Sequence, residues 1–438
     1  MRRGKLSKLK GVKGRYLMKR LMIWVMVVTL MVGFFGLAGF AAKKVTLTLI
    51  MPSHESDILG YFEAKAVEFE KKTGIKVNMV TGDWDNVADK VLPALAAGSS
   101  AYDIVEFDNC WVAQFAETGW LRPLENYPGA QVYIDGLCPA LVDLFSSNGH
   151  FYGITWNNDL RVAMYNARML KEAGIAAPPA TWDELVSQSQ RLQAAGIVRY
   201  GYMANWEKTQ CLSNDYTLMV RSFGGRTLDE NGNPAMDSPQ AIAALQWMVD
   251  SIYKYKVVDP ASLTTNQQMA QDIFLRGDSA FFPQAWAGLY FYSRNPEVSN
   301  VVGEIEPAAK SLGVTRNIQT GLTLPEALAI SSFSEHPDEA WAFLDFIANK
   351  QTNKMQSLAT GSLPIWMDLW NDPDLLARNP HWKEYAKQIP YLEGLDVVIW
   401  YGELAEIMQV EVMNALTRAK TVEQAVADMI EKINAVEK

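Results

Sequence analysis

The sequence predicts an α/β fold built on a mainly parallel sheet, and three observations carry that prediction. Val45–Met51 (VTLTLIM) alternates β-branched and aliphatic residues and runs into Pro52-Ser53, the pattern of a strand ending in a loop. Ile58 to Lys72 places Phe62, Ala66 and Phe69 on one helical face, and Thr73-Gly74 stops that helix before a second strand at Ile75–Val80. Strand, helix, strand at this spacing is a βαβ unit, whose strands lie parallel. The unit then repeats. Trp84 to Ala97 reads as a helix closed by Gly98, and Ala101–Phe107 as a third strand with Asp108 just past its end. In open α/β sheets, ligands sit beyond the carboxyl ends of the strands. That rule places Ser53, His54, Glu55, Asp83, Trp84 and Asp108 where a ligand would lie.

The later elements follow from local signals. Gly153–Asn166 (GITWNNDLRVAMYN) is extended and mixed, and Ala167–Ala173 is a helix stopped by Gly174. Thr181, with Glu184 three residues on, has the pattern of a capping box opening the next helix. Ser238-Pro239 opens another, with proline at its first position. Ala270–Arg276 is a short helix, Gly277-Asp278 a turn, and Ser279–Pro283 a strand followed by Gln284, Trp286 and Tyr290. His336-Pro337-Asp338 starts the helix that carries Trp341, Phe343, Leu344 and Ile347. Two helices, Trp400–Thr417 and Val422–Val436, close the chain, with Thr421 capping the second. At 438 residues the chain is long enough for two domains, and it shows no short internal repeat.

The first 41 residues are of a different kind. They hold nine basic residues and no acidic one, then an uncharged apolar run from Leu21 to Phe40 that exits through small residues to Lys43-Lys44. A basic start, an apolar core and a small-residue exit are the parts of a secretory leader, with Gly39 and Ala41 suited to a cut after Ala41. The same run is long enough to span a bilayer, so an uncleaved anchor is the competing reading. Nine of the 40 basic residues lie in this segment, which leaves 31 against 49 acidic ones and a net charge of −18 in the body. So acidic a body argues against nucleic acid or an anionic membrane as its main partner. Cys110, Cys138 and Cys211 match no metal spacing. In an oxidising compartment Cys110 and Cys138 are the first candidates for a disulfide, with three thiols as the alternative.

The chain carries 14 tryptophans, 13 of them in the body. An aromatic plane stacks on the apolar face of a pyranose, while the hydroxyl rim needs carboxylates, amides or arginine. Several tryptophans stand beside such groups: Trp84 next to Asp83, Trp111 after Asp108, Trp156 before Asn157, Asn158 and Asp159 with Arg161 beyond, Trp206 after Asn205, and Trp286 after Gln284. Trp182, Trp247 and Trp341 sit in apolar helical stripes and read as core. The candidate ligand-binding set is therefore His54, Glu55, Asp83, Trp84, Asp108, Trp111, Trp156, Asn158, Asp159, Arg161, Trp206, Gln284, Trp286 and Trp366. No nucleophile elbow, glycine-rich phosphate loop or H-E-x-x-H stretch occurs, and no cofactor or metal is called for. Paired carboxylates of a secreted glycoside hydrolase remain the rival reading. Binding of a polyamine by the acidic groups, or of a polyol phosphate by Arg161, is the remaining alternative.

The body resembles the family 1 extracellular solute-binding proteins, the sugar-binding components of bacterial ATP-driven importers. The resemblance runs through FEKKTGIKV (Phe69–Val77), YDIVEFDNCWVAQFAETGWLRPL (Tyr102–Leu124), YGITWNNDLRVAMYN (Tyr152–Asn166) and PPATWDEL (Pro178–Leu185). It continues in FLRGDSAFF (Phe274–Phe282), SEHPDEAWAFLDFI (Ser334–Ile347), GSLP (Gly361–Pro364) and TVEQAV (Thr421–Val426). It implies a two-lobed periplasmic-binding-protein fold, each lobe a mainly parallel sheet flanked by helices, joined by three hinge crossings near Trp156–Leu160, Thr320–Leu328 and Ala359–Leu363. The implied lobes are residues 42–157 with 327–360, and 158–320 with 361–438. The resemblance also implies a monomer that closes on a carbohydrate in the cleft and delivers it to transmembrane permease subunits, without enzymatic turnover. It places Asp159 on a sugar hydroxyl and Trp286 on a sugar face. One departure stands out: where the family has a glycine pair before the apolar strand, this chain reads TGLTLPEALAI (Thr320–Ile330), with Pro325-Glu326 in that pattern. Amino-terminal sequencing of protein from the native cell is expected to begin at Ala42; a retained Leu21–Phe40 segment would make the leader an anchor.

Overall fold

Two β-sheets, each with its own helices, organise the chain. The computed structural model describes residues 44–52, 60–82, 84–308 and 310–437. The leader with its cut after Ala41, and the candidates His54, Glu55 and Asp83, lie outside these residues. The strands that matter are β1 (Thr46–Pro52), β2 (Lys76–Gly82), β3 (Ile104–Asp108), β4 (Ile154–Asn157), β5 (Arg161–Asn166), β6 (Phe281–Trp286), β7 (Ile305–Pro307) and β8 (Glu326–Ile330).

The first sheet has the order β2-β1-β3-β8-β4. β1 pairs in parallel with β2 and β3, as the βαβ pattern requires. β8 arrives from far along the sequence and inserts antiparallel between β3 and β4. Every residue of β3 and β8 is buried, because helices cover the sheet. The helix Tyr61–Thr73 buries Phe62, Ala66 and Phe69, the stripe its spacing predicts, and ends at Gly74 in the left-handed region. Phe69 meets Phe343 and Phe346 of the helix Pro337–Ala348 at centroid distances of 5.2 and 5.4 Å.

The second sheet has the order β6-β5-β7, and both pairings are antiparallel. Parallel pairing on this side is confined to short pieces outside that sheet order, among them bridges from Tyr202 to Val258 and to Phe281 and the pairing of Gly321–Leu322 with Leu392–Glu393. The expectation of a mainly parallel sheet in each lobe thus describes the first sheet and not the second. A buried strand has the same apolar pattern in either direction, so only its pairing partner decides. Helices Gln210–Ser222, Pro239–Tyr253, Tyr401–Leu416 and Val422–Ala435 pack together on this side. Thr421 and Gln424 form a complete capping box. At Thr181 the cap forms through the Glu184 amide, but the Glu184 carboxylate takes the Ala180 amide instead of closing the box.

The chain passes between the sheets where the site will be. Asn158–Leu160 leads from β4 to β5, and Leu160 bridges to Thr323 on the return passage into β8. Residues 365–378 do not join the second sheet, as a lobe of 361–438 would require. Cys138 bonds the Ile365 carbonyl, Trp366 bonds the Ala348 carbonyl, and Pro373–Arg378 packs on Lys350–Thr360, all on the first-sheet side. His381 packs on Tyr290 and Tyr385 bonds the Ala287 carbonyl, both contacts on the second-sheet side. No disulfide joins the three cysteines among the described residues, Cys110 and Cys211 being buried and Cys138 half-buried, so the pairing of Cys110 with Cys138 is not formed.

Gly153 lets β4 close against its neighbours. A Cβ there would lie 2.8 Å from the Ala327 methyl and 2.9 Å from the Phe107 ring. Gly153→Ala is expected to cost about 1–3 kcal/mol of stability through overpacking, read as a lower urea midpoint with an unchanged slope.

Candidate functional site

The site grows from the register of three strands. Side chains alternate along β3, so Glu106 and Asp108 share a face, with Val105 and Phe107 on the other. Glu326, the first residue of β8, is paired with Asp108 on one side and Asn157 on the other. The pairing brings oxygens of Glu106, Asp108 and Glu326 within 4.8 Å of one another, all three residues buried. Glu326 is held from both sides: the Trp84 indole N–H donates to Oε1 at 2.6 Å and the Asn157 amide to Oε2 at 2.7 Å. Gln210, from a helix on the second-sheet side, donates to Asp108 Oδ2 at 2.6 Å. Three carboxylates suit a hard cation in composition. Here neutral N–H donors already serve two of them, which leaves a buried wall of hydrogen-bond acceptors. Trp84, Trp111 and Gln210 enclose a small cavity against this wall.

A second cavity opens where the chain crosses between the sheets. Phe62, Trp156, Asn158, Asp159, Trp286 and Leu363 are among its lining residues. The Trp156 ring meets Phe62 edge-on at 5.2 Å, and its indole N–H has no hydrogen-bond partner among the described residues. Asp159 is partly committed: Oδ1 accepts the Ala287 amide at 3.0 Å, and its carbonyl accepts the Leu324 amide and the Thr323 hydroxyl. The Asn158 amide donates to the Pro364 carbonyl.

Arg161, directly across from Trp286 in the sheet, is buried and donates to Gln267 at 3.2 Å. Its Nε has no partner among the described residues, and neither has the buried amide of Gln284. Burial opposes the charge on Arg161, but Asp159, and behind it Cys211, Asp215 and Glu326, outweigh that and hold the guanidinium above its usual range. Burial pushes the neighbouring Asp215 up to about 7 against the opposing effects of Arg161 and the Trp206 N–H.

The structure therefore brings together Trp84, Asp108 and Trp111 in one cavity and Trp156, Asn158, Asp159 and Trp286 in the other, with Arg161 and Gln284 buried along β5 and β6. It does not bring in Trp206 or Trp366. Trp206 is fully buried, its N–H on Asp215 at 3.2 Å and its ring against Tyr202. Trp366 is buried beneath Gly136 with its ring beside Tyr133. Both find their partners in the protein interior, the usual fate of a large aromatic. Sequence reasoning missed Glu106, Gln210, Gln267 and Glu326, and named Asn157 only as a polar neighbour of Trp156. Glu326 did leave a signal, since Pro325-Glu326 is the one break in the family pattern. Gln210 and Gln267 lie on helices far along the chain and leave none.

Asp215 gives this region a pH signature. Its folded value lies above the ordinary carboxylate value, so between about pH 4 and pH 7 the native state holds a proton that the unfolded state has lost. The stability tied to that proton is present below pH 4 and lost as pH rises to 7. Asp215→Asn keeps an acceptor for Trp206 and removes the titration. Its melting temperature is expected to gain on the wild type steadily from pH 4 to 7, and parallel curves would contradict the assignment.

Comparison with known proteins agrees with this architecture. Residues 53–354 match the family model described as bacterial extracellular solute-binding protein. A probable ABC transporter-binding protein of Deinococcus radiodurans is 28% identical over 354 residues, covering 78% of this chain and 81% of the relative. An arabinooligosaccharide-binding protein of Halalkalibacterium halodurans is 24% identical over 72% of this chain and 70% of its own length. Among solved structures, maltose-bound T. maritima MalE3 superposes with a TM-score of 0.83 at 26% identity, over 89% of this chain and 99% of that one. The two sheets are the cores of the two lobes of a periplasmic-binding-protein fold, and the chain belongs to the bacterial extracellular solute-binding proteins.

Proposed function

We propose that this protein captures a carbohydrate between its lobes outside the cytoplasmic membrane and hands it to the permease subunits of an ATP-driven importer. The observation that carries the reading is the composition of the cleft. Indole rings (Trp84, Trp111, Trp156 and Trp286) stand beside a buried wall of acceptors, Glu106, Asp108 and Glu326, and beside buried donors on Arg161, Gln284 and Trp156. A sugar ring has an apolar face for the indoles and hydroxyls that both donate and accept. Relatives named for arabinooligosaccharide and maltose support the same class.

The rival ligands fit less well. A polyamine would meet the charge of Arg161, and a phosphorylated polyol would meet three carboxylates with one guanidinium to set against them. The clustered carboxylates also share one wall on β3 and β8, whereas a glycosidase needs two facing each other across the scissile bond. The protein acts as a cleaved, exported monomer whose lobes close by hinge motion on the ligand. One lobe comprises residues 42–157 and 327–378, and the other 158–320 and 381–438.

A thermal-shift screen of purified protein against mono- and oligosaccharides tests the reading. A sugar at 100 times its Kd should add about 2.7 kcal/mol of stability. Trp286→Ala and Asp108→Asn should each weaken that sugar by about 1–3 kcal/mol in calorimetry while remaining folded. A full panel without a shift, or turnover of chromogenic glycosides, would overturn it.

A further inference from the structure

A second depression, of about 650 Å³, lies outside the sugar cleft and shares no lining residue with it. Its size falls within the range of small-molecule sites, about 300–1,000 Å³. Tyr290, His381 and Asn379 form its buried floor, and Arg294 and Arg378 stand exposed at its rim. No carboxylate lines it, in a body with a net charge of −18.

Both guanidiniums are held by rings of one short helix, Leu289–Ser293. Arg294 lies 5.6 Å from the Tyr290 centroid and donates from Nη1 to the Tyr290 hydroxyl at 3.1 Å, while Arg378 lies 5.9 Å from the Phe291 centroid. A guanidinium held over a ring face keeps most of its five N–H donors available to an anion. Neither arginine makes an ion pair among the described residues. Half-buried Glu306 is near enough to Arg294 to act on it electrostatically, but does not contact it as an ion pair. Burial, with Arg294 beside it, pushes His381 down to about 4, so the imidazole is neutral at ordinary pH and the two arginines supply the charge.

We infer that this depression is a binding site for a small oxyanion of the phosphate type, clamped between Arg294 and Arg378. Two forked cations at the mouth of a carboxylate-free pocket are the arrangement that recognises a multi-oxygen anion. The acidic body disfavours an anionic membrane as its source, so the occupant is a free anion or a small phosphorylated molecule. Arg378 ends a helix packed on the first-sheet side, and Arg294 follows one packed against β7 of the second sheet. One bound anion therefore bridges elements of both lobes at the third passage.

The test uses the whole mature protein and inorganic phosphate, and needs no sugar, so it stands apart from the carbohydrate reading. At matched ionic strength, phosphate should raise the melting temperature above that in chloride, and calorimetry should show one saturable site. In Arg294→Gln/Arg378→Gln the phosphate-specific shift should vanish and affinity fall at least tenfold, with an unchanged far-ultraviolet spectrum. Should the double variant not fold, Arg378→Gln alone must weaken phosphate, because that side chain is exposed. An equal phosphate response in wild type and variants, or no saturable site in the wild type, overturns the inference.

Discussion

The site depends on how Glu326 is held. A carboxylate buried at the start of a central strand carries a large desolvation cost unless hydrogen bonds replace its water. Trp84 and Asn157 do so, one on each oxygen, and leaving such a buried group unsatisfied would cost about 1–3 kcal/mol. Those two donors come from different directions: Trp84 begins the helix after β2, and Asn157 ends β4. Satisfying Glu326 therefore ties the helix, the inserted strand β8 and the exit from β4 to one point. Asp108 and Glu106 are then brought beside it by pairing and by strand alternation, with no further device.

Asp159 plays the matching part at the passage between lobes. Its side chain takes the Ala287 amide just after β6, and its carbonyl takes Thr323 and Leu324 from the return passage. Two of the three passages are thus bonded to each other at one residue. A closing motion that rotates one sheet against the other would turn about this point and alter the spacing between Trp156 on one side and Trp286 on the other. The same residue thus both lines the cavity and bonds the strand ends that flank it.

The tryptophans show how far residue type alone carries a functional reading. Their number and polar neighbours pointed to an aromatic-lined site, and four of them line the two cavities, Trp84 and Trp111 from helices and Trp156 and Trp286 from strands. Trp206 has a similar polar neighbour in Asn205, yet it and Trp366 both point inward, where Asp215 and the Ala348 carbonyl accept their N–H groups. Both situations satisfy an indole equally, so a flanking polar residue does not separate them. The chain path does: Trp156, one residue before the end of β4, and Trp286, the last residue of β6, line the cavity where the chain crosses between the sheets, whereas Trp366 enters a segment packed on the first-sheet side.

By itself the sequence determined the βαβ start with Asp108 at the end of its third strand, the helices with their apolar stripes and caps, the extended stretch through Trp156, and the family. All of these rest on local periodicity or contiguous motifs, which a linear chain displays openly. Tertiary structure alone decided the insertion of β8 between β3 and β4, the antiparallel second sheet, the return of residues 365–378 to the first lobe, and the meeting of Glu106, Asp108 and Glu326 with Gln210. Each of these is a pairing between residues tens to hundreds of positions apart. A strand's hydrophobic pattern states that it will be buried, but its direction and neighbour are set by which partner satisfies its backbone and its buried charges in three dimensions.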